Sequence, residues 1–443
     1  MAIAESRDTA PGASAAQARP PAGSARTGRG VADALWVLAG RPDTVALQAW
    51  DGSAAGAAGA PVSLRLRSVR ALRHAVSAPG QLGLARAYVD GDIDLDGDPY
   101  EALKVFGQLS TEAGWAERAA ALRDLIAAAG PGMLRPLPPP GQEVRGRWRW
   151  GIRHSKARDA AAIAHHYDVG NRFYELVLGP TMAYTCAVYP RADATLEEAQ
   201  TEKVDLVCRK LGLRPEMRLL DVGCGWGGLV MHAAREYGVR ALGVTLSEYQ
   251  ADWGANRIQE LGLTGRAEVR HADYRDLAET GFDAIASIGL TEHIGERRLG
   301  DYVARLRARL RPEGRLLNHC ITRPRGGQRR FTRRGFIDRY VFPDGELLAP
   351  ARIVAALHDG GLEVRHEEGL REHYALTLKA WCDNLTAHRE EVVREAGEGR
   401  TRVWHLYMAG SRLGFEKDEI ELHQVLAVRT TGGRSGMPLR PDW

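Results

Sequence analysis

The residues with the clearest chemical capacity form one short run, Leu220-Asp221-Val222-Gly223-Cys224-Gly225-Trp226-Gly227-Gly228. A strand-like pattern, Arg218 to Val222, leads into it, and a helix-like pattern, Gly227 to Tyr237, follows. Glycines at a strand-to-helix turn let the backbone approach a ligand closely at a helix N-terminus. Gly223, Gly225 and Gly228 also satisfy the GxGxxG spacing of dinucleotide folds, so an NAD-linked oxidoreductase has to be weighed. Two features favour another nucleotide. Asp221 stands just before the glycines, where a carboxylate can hold a charged or hydroxylated small ligand. The second strand ends in Val244-Thr245-Leu246-Ser247, without the acid that binds the ribose of NAD; the nearest carboxylate, Glu248, already lies in the next helix. DxGxGxG in this setting favours S-adenosylmethionine. After the third strand, His271-Ala272-Asp273-Tyr274-Arg275-Asp276-Leu277 falls on the carboxyl edge of the sheet, where Tyr274 or its neighbours could flank an adenine.

The surrounding pattern supplies the frame. Strand-like runs at Arg218–Val222, Ala241–Thr245, Ala267–His271, Phe282–Ser287 and Gly314–Ile321 alternate with helix-like runs such as Ser247–Leu261. Later strands are expected at Leu362–His366 and Glu421–Arg429. That order predicts an α/β fold, a mostly parallel sheet covered by helices on both faces. At 443 residues two domains are the default. Residues 1–30 read as a disordered tail of Ala, Gly, Ser, Pro and Arg. Residues 31–129 read as a smaller N-terminal α+β unit, with a strand through Val62, Leu64 and Leu66, a short helix from Gly83, and a helix over Leu103–Ala128. Residues 130–158 read as a linker, first Pro-rich and then basic, and residues 159–443 as the catalytic domain.

Composition sets outer limits. Lys and Arg total 60 against 56 Asp and Glu, a net charge of +4, which excludes a globally basic nucleic-acid coat. The five cysteines form no CxxC pair, so neither a disulfide framework nor a metal site is expected, and a reducing cytosol is the natural compartment. No run of about 18 to 20 apolar residues exists to span a bilayer. Two local basic clusters stand out. One carries Arg145, Arg147, Arg149, Arg153, Lys156 and Arg158 around Trp148 and Trp150; the other carries Arg323, Arg325, Arg329, Arg330, Arg333 and Arg334. Each reads either as a solvated charge run or as a contact for anionic phospholipid headgroups.

Further motifs occur in order along the chain. They are His166-Tyr167-Asp168-Val169-Gly170-Asn171-Arg172-Phe173-Tyr174, Met182-Ala183-Tyr184-Thr185-Cys186-Ala187-Val188-Tyr189, Glu292-His293-Ile294-Gly295, Phe342-Pro343-Asp344-Gly345-Glu346-Leu347 and His373-Tyr374-Ala375-Leu376-Thr377-Leu378-Lys379-Ala380-Trp381. With the glycine loop, they resemble the cyclopropane fatty acid synthases and their mycolic acid relatives over about residues 160–430. The N-terminal unit resembles the extra domain of the phospholipid-acting synthases. Leu316-Leu317-Asn318-His319 is closer to an actinobacterial branch linked to methylene branching of oleoyl phospholipids.

The resemblance implies a Rossmann-like class I methyltransferase domain. It implies cofactor contacts at Tyr184, Thr185, Asp221, Gly223, Gly225, Gly227, Thr245, Gln250, Tyr274 and Arg275. It implies a membrane phospholipid with an unsaturated acyl chain as substrate, and a protein peripheral to the inner face of the membrane. A homodimer through the N-terminal unit is also implied. An alkene is a weak nucleophile, and a sulfonium is a methyl donor strong enough for it. Attack leaves a carbocation, which an apolar site must stabilise with aromatic faces or an anion while excluding water. A base then takes a proton. In the family that base is a bound bicarbonate, and its cradle carries over to Cys186, Glu292, His319, Ile321 (through its backbone) and Tyr374. Singly, Cys186, His319 and Tyr374 read as core residues and Glu292-His293 as a helix-start pair. Glu292 cannot face an anion as a second anion, so it must share a proton or orient His319. The family's larger apolar pair before Glu-His is here Leu290-Thr291, a smaller and more polar wall. Cyclopropane and methylene products both remain open. A methylene product would need a separate reductase to become a methyl branch. A non-catalytic membrane-binding module is the remaining alternative.

Overall fold

A computed structural model describes residues 29–108, 114–144, 154–167, 169–325, 335–441 and 443. The N-terminal unit is built on four strands, β1 (Val45–Ala49), β2 (Ala54–Ala55), β3 (Val62–Leu66) and β4 (Ile93–Asp96), in the order β2-β1-β3-β4. Leu47, Leu64 and Leu95 stand side by side across β1, β3 and β4. The expected Leu103–Ala128 helix is instead divided. A helix over Pro99–Phe106 ends at Gly107, and a second runs over Trp115–Ala129. The first starts where Asp98 accepts from the Tyr100 amide and Pro99 takes a position whose missing N–H costs nothing.

The larger sheet has seven strands: β5 (Arg218–Val222), β6 (Arg240–Thr245), β7 (Ala267–His271), β8 (Phe282–Ile288), β9 (Leu310–Thr322), β10 (Glu363–Gly369) and β11 (Glu421–Val428). Their order is β10-β11-β9-β8-β5-β6-β7. The β7-β6-β5-β8-β9 block is parallel, as the alternating pattern predicts. β11 is antiparallel to both β9 and β10. The chain leaves β5 toward β6 and β7, then returns to β8 on the other side. Such a reversal opens a crevice at the carboxyl ends of the strands. Apolar runs such as Leu219-Leu220 and Ile285-Ala286 are fully buried, as strands covered on both faces require.

The two units share an interface along the helix Glu398–Glu416, which packs on the helices Pro99–Phe106 and Gln81–Val89. The Arg402 guanidinium donates to the carbonyls of Tyr88 (2.9 Å) and Ile93 (3.0 Å) and pairs with Asp94 at 2.9 Å. Arg412 lies 3.6 Å from the centroid of the Tyr100 ring. The Pro-rich stretch ends in a buried clamp: Glu143 accepts two bonds from Arg86, at 2.6 and 2.7 Å, and one from Arg339 at 3.2 Å. Of the first basic cluster, Lys156 pairs with Asp276 and Arg158 with Asp344, so both serve the protein's own carboxylates. Arg145, Arg147, Arg149, Arg153, Trp148 and Trp150, and Arg329, Arg330, Arg333 and Arg334 of the second, lie outside the described residues, as do residues 1–28 of the tail.

Arg402 carries three polar groups of the N-terminal unit. Arg402→Met would leave Asp94 with Arg67 alone and take one donor from each of the two carbonyls. The expected loss is about 3 kcal/mol of unfolding free energy, read from the denaturant midpoint. An unchanged midpoint would show that apolar packing alone joins the units.

Candidate active site

A cavity of about 1440 Å³ opens at the carboxyl ends of β5, β8 and β9 and extends into the N-terminal unit. The glycine loop forms one wall. The amides of Gly223 and Cys224 both donate to the Val244 carbonyl, at 2.9 and 3.0 Å, which folds the chain sharply after β5. Gly223 and Gly225 have φ of 78° and 56°, in the left-handed region that glycine enters without strain, and both line the cavity. Gly227, at φ 84°, shapes the turn from behind: a Cβ there would lie 2.6 Å from Val269 Cγ2.

Asp221, one residue from the end of β5, lines the cavity, and its Oδ1 has no hydrogen-bond partner among the described residues. Burial pushes its carboxyl up to about 7, against the pull of the Lys203 ammonium. Lys203, from the helix Leu196–Leu211, also lines the cavity, and burial brings its ammonium down to about 8. Tyr184 and Thr185 stand on the same cavity wall. The Tyr184 hydroxyl lies 3.2 Å from His166 Nε2, and its ring sits among His166, Tyr174, Trp381 and Trp404. Thr245 acts one step removed. Its hydroxyl donates to Gln250 Oε1 at 2.6 Å, and Gln250 Nε2 is left without a partner among the described residues, on the cavity wall.

Tyr274 and Arg275 do not reach the cavity. Asp273 accepts from the Arg275 amide and starts a short 3-10 turn. The Arg275 guanidinium is then spent on Asp273 and Asp159, while Tyr274 packs edge-on against Tyr302.

The ends of β8 and β9 carry a second polar group on the cavity lining. Glu292 sits in the 3-10 turn Thr291–His293 after β8. Its Oε1 accepts from the Ile321 amide at 2.7 Å, and its enclosed Oε2 has no partner among the described residues. Burial pushes this carboxyl up to about 7. His319, on β9, faces Gln424 on β11 in register. Gln424 Nε2 lies 3.2 Å from His319 Nδ1, Lys210 Nζ donates to Gln424 Oε1 at 2.7 Å, and Lys210 also pairs with Glu368.

This chain of contacts fixes a proton. An ammonium can only donate, so the oxygen of Gln424 faces Lys210 and its NH2 faces His319. Nδ1 of His319 therefore holds the lone pair, and the proton sits on Nε2. Nε2 is buried without a partner among the described residues, and His319 lines the cavity. Burial, reinforced by the Lys203 and Lys210 charges, holds the imidazole's pKa well below its ordinary value. His319 is thus a neutral N–H donor with a fixed direction.

Tyr374 is buried on the same cavity wall, its ring 4.7 Å from that of Phe415. Cys186 is fully buried but does not line the cavity; its thiol donates to the Ala187 carbonyl at 3.1 Å. Glu292, His319, Ile321 and Tyr374 all line the one cavity, Glu292 and Ile321 in direct contact, while Cys186 is buried off it. Leu290 packs against Gly223 and the Thr291 hydroxyl donates to Asn318 at 2.7 Å, so neither forms the smaller, more polar wall expected from the sequence. Lys203, Lys210 and Gln424 escape a sequence reading, because only the fold places them beside Asp221 and His319.

The relay makes His319 directly testable by nitrogen-15 NMR. The wild-type ring should stay neutral through the pH range in which a free imidazole takes up a proton, with its own proton on Nε2. Gln424→Glu puts an acceptor opposite Nδ1 and still pairs with Lys210, so the proton should move to Nδ1. An unmoved proton would show that something other than Gln424 sets the tautomer.

Comparison with known proteins agrees with this geometry. The family described as mycolic acid cyclopropane synthetase matches residues 154–425. A Mycobacterium tuberculosis protein named as a probable fatty acid methyltransferase is 52% identical over 405 residues, covering 89% of this chain and 93% of its own. The cyclopropane-fatty-acyl-phospholipid synthase of Escherichia coli is 34% identical over 277 residues, covering 62% of this chain and 69% of its own. Among solved structures, the mycolic acid cyclopropane synthase CmaA1 complexed with SAH and CTAB superposes with a TM-score of 0.56 at 32% identity, covering 61% of this chain and 98% of its own. These likenesses displace the oxidoreductase and non-catalytic readings. The chain belongs to the mycolic acid cyclopropane synthetase family and is an S-adenosylmethionine-dependent methyltransferase.

Proposed function

We propose that the enzyme transfers a methyl group from S-adenosylmethionine to the cis double bond of an oleoyl-like acyl chain on a membrane phospholipid. One observation carries the reading: the Asp221 glycine loop and the Glu292–His319 group face the same, largely apolar cavity. The Escherichia coli relative, named for acyl chains on phospholipid, supports the substrate class.

The residues divide the work. The unpartnered Oδ1 of Asp221 and Nε2 of Gln250 suit the polar groups of the cofactor, beside Tyr184 and Thr185. Bound there, the sulfonium supplies an electrophilic methyl. The double bond attacks that methyl and becomes a carbocation, which the faces of Tyr184 and Tyr407 on the cavity lining suit. The apolar wall keeps water from trapping the cation as an alcohol.

Two orphaned groups on the cavity lining suit a base for the last proton. His319 Nε2–H donates, and Glu292 near neutrality offers either a proton or a lone pair at Oε2. A bicarbonate would find donors in both, with Tyr374 alongside, and would supply proton removal. The Ile321 amide already serves Glu292, which would orient that carboxyl toward the ion. Loss of the proton with ring closure gives cyclopropane. A hydride shift first gives a 10-methylene chain, which a separate reductase would convert to a methyl branch.

Among the described residues no helix is long and apolar enough to cross a membrane. In this reading the enzyme takes the acyl chain from an anionic membrane surface at the cytoplasmic face, with Arg323 at the cavity. A homodimer through the N-terminal unit would place two such sites on one membrane.

Incubation with methyl-labelled cofactor and oleoyl phospholipid vesicles should place label in the acyl chain. Label confined to the headgroup, or none despite bound cofactor, would reject the reading. Glu292→Gln should lower turnover about 10²-fold or more while leaving cofactor affinity near wild type.

Cofactor affinity should also follow Asp221. Its carboxyl, raised to about 7, is neutral at lower pH, and binding a cation must then expel the proton. Titration calorimetry should show affinity falling about tenfold per pH unit below 7 and levelling between 7 and 8, where Lys203 begins to lose its charge. Asp221→Asn should remove the slope.

A further inference from the structure

The cavity does not stop at the catalytic domain. It continues into the N-terminal unit, where Leu35, Leu47, Leu64, Leu72, Tyr88 and Phe106 are among its walls. These residues come from the helix Val31–Leu38, from the strands β1 and β3, and from the helices that cover them. They are the residues that should close on one another as the core of a small domain. Protein interiors pack to crystal-like density, and unfilled apolar volume lowers stability in proportion to its size. Water does not fill such a space well, because it finds no polar partners there. An apolar hollow inside a small domain therefore points to an apolar occupant.

The connection to the active site runs along the helix Glu398–Glu416. Leu406, Tyr407, Gly410, Leu413 and Gly414 of this helix line the cavity. Gly410 faces the N-terminal unit: a Cβ built there would meet Leu103 Cδ1 at 3.6 Å, and no other atom within 4 Å. A glycine in mid-helix weakens the helix relative to alanine. Here the missing side chain leaves a neck between the two lobes.

Resting on the phospholipid reading above, we infer that the N-terminal lobe holds the second acyl chain of the substrate. A phospholipid has two chains, and one is placed with its double bond between the glycine loop and Glu292. The other leaves the bilayer with it. Each methylene abandoned to water costs about fourfold in affinity, so a protein that draws out one chain must shelter its neighbour. The lobe is apolar, adjoins the reacting lobe through the Gly410 neck, and suits a saturated chain that needs no catalytic group.

The test uses the full-length enzyme and vesicles of a phosphatidylglycerol with one oleoyl chain and one saturated chain bearing a diazirine. Irradiation followed by peptide mass spectrometry should find adducts between residues 35 and 106. Adducts confined to residues 159–443 would overturn the inference. Gly410→Leu fills the neck with a better helix former. It should reduce those adducts, and it should lower the ratio of methyl transfer to dioleoyl phosphatidylglycerol over oleoyl lysophosphatidylglycerol about tenfold, the burial of roughly two methylenes. An unchanged ratio would count against the lobe. Wild-type enzyme that alkylates neither lipid would instead reject the phospholipid reading itself, and the inference with it.

Discussion

Desolvation of polar groups at the carboxyl ends of β5, β8 and β9 is the constraint on which the site turns. Asp221, Glu292 and His319 each bury a polar atom with no partner among the described residues. An enclosed donor or acceptor left unmade costs more than a formed bond gains. Three such atoms around one cavity are therefore places where the fold gives up stability to keep bonding capacity for something else. The same burial sets their protonation. It lifts both carboxyls to about 7 and keeps His319 uncharged, so near neutral pH each carboxyl is ionised in only part of the molecules.

The sheet topology decides which way that capacity points. β11 enters between β10 and β9 and runs antiparallel to both. Its register sets Gln424 directly across from His319 and Leu422 across from Ile321. A slip of one residue would send every side chain of β11 to the opposite face. Lys210 would then meet no amide, and His319 would lose the contact that assigns its proton. The C-terminal strand thus serves the active site twice, through Leu422 on the cavity lining and through Gln424 behind it.

This dependence on register explains what the sequence discloses and what it conceals. The glycine loop and the five parallel strands are legible because their signals are local: an apolar run, a turn that only glycine enters, a helix start. The Asp-Gly-Gly wall follows from them. Gln424, Lys203 and Lys210 carry no local mark. Each sits in an ordinary polar-apolar pattern and gains its role from a partner more than a hundred residues away or from burial that only tertiary packing creates. Tyr274 and Arg275 are the opposite case, expected at the cofactor and standing off the cavity lining. Their position after β7 is right for a ligand contact, but Asp273 and Asp159 satisfy the guanidinium first. The long helical pattern over Leu103–Ala128 misleads for a similar reason, because its periodicity survives a break at Gly107 that only the fold makes visible.

The helix Glu398–Glu416 joins these two scales. One stretch of it packs on the N-terminal unit through Arg402 and Arg412; another lines the cavity. Tyr407, on the cavity wall, lies 3.4 Å from the Tyr184 hydroxyl, and Arg402, little more than a turn away, bonds the carbonyls of Tyr88 and Ile93. A rigid helix transmits displacement along its length, since its own backbone bonds resist local deformation. Any shift of the N-terminal unit relative to the sheet must therefore move the aromatic wall beside Tyr184. Two domains that merely adjoined could change position without consequence for the chemistry. Sharing this helix makes the geometry around the reacting carbons depend on how the N-terminal unit is seated.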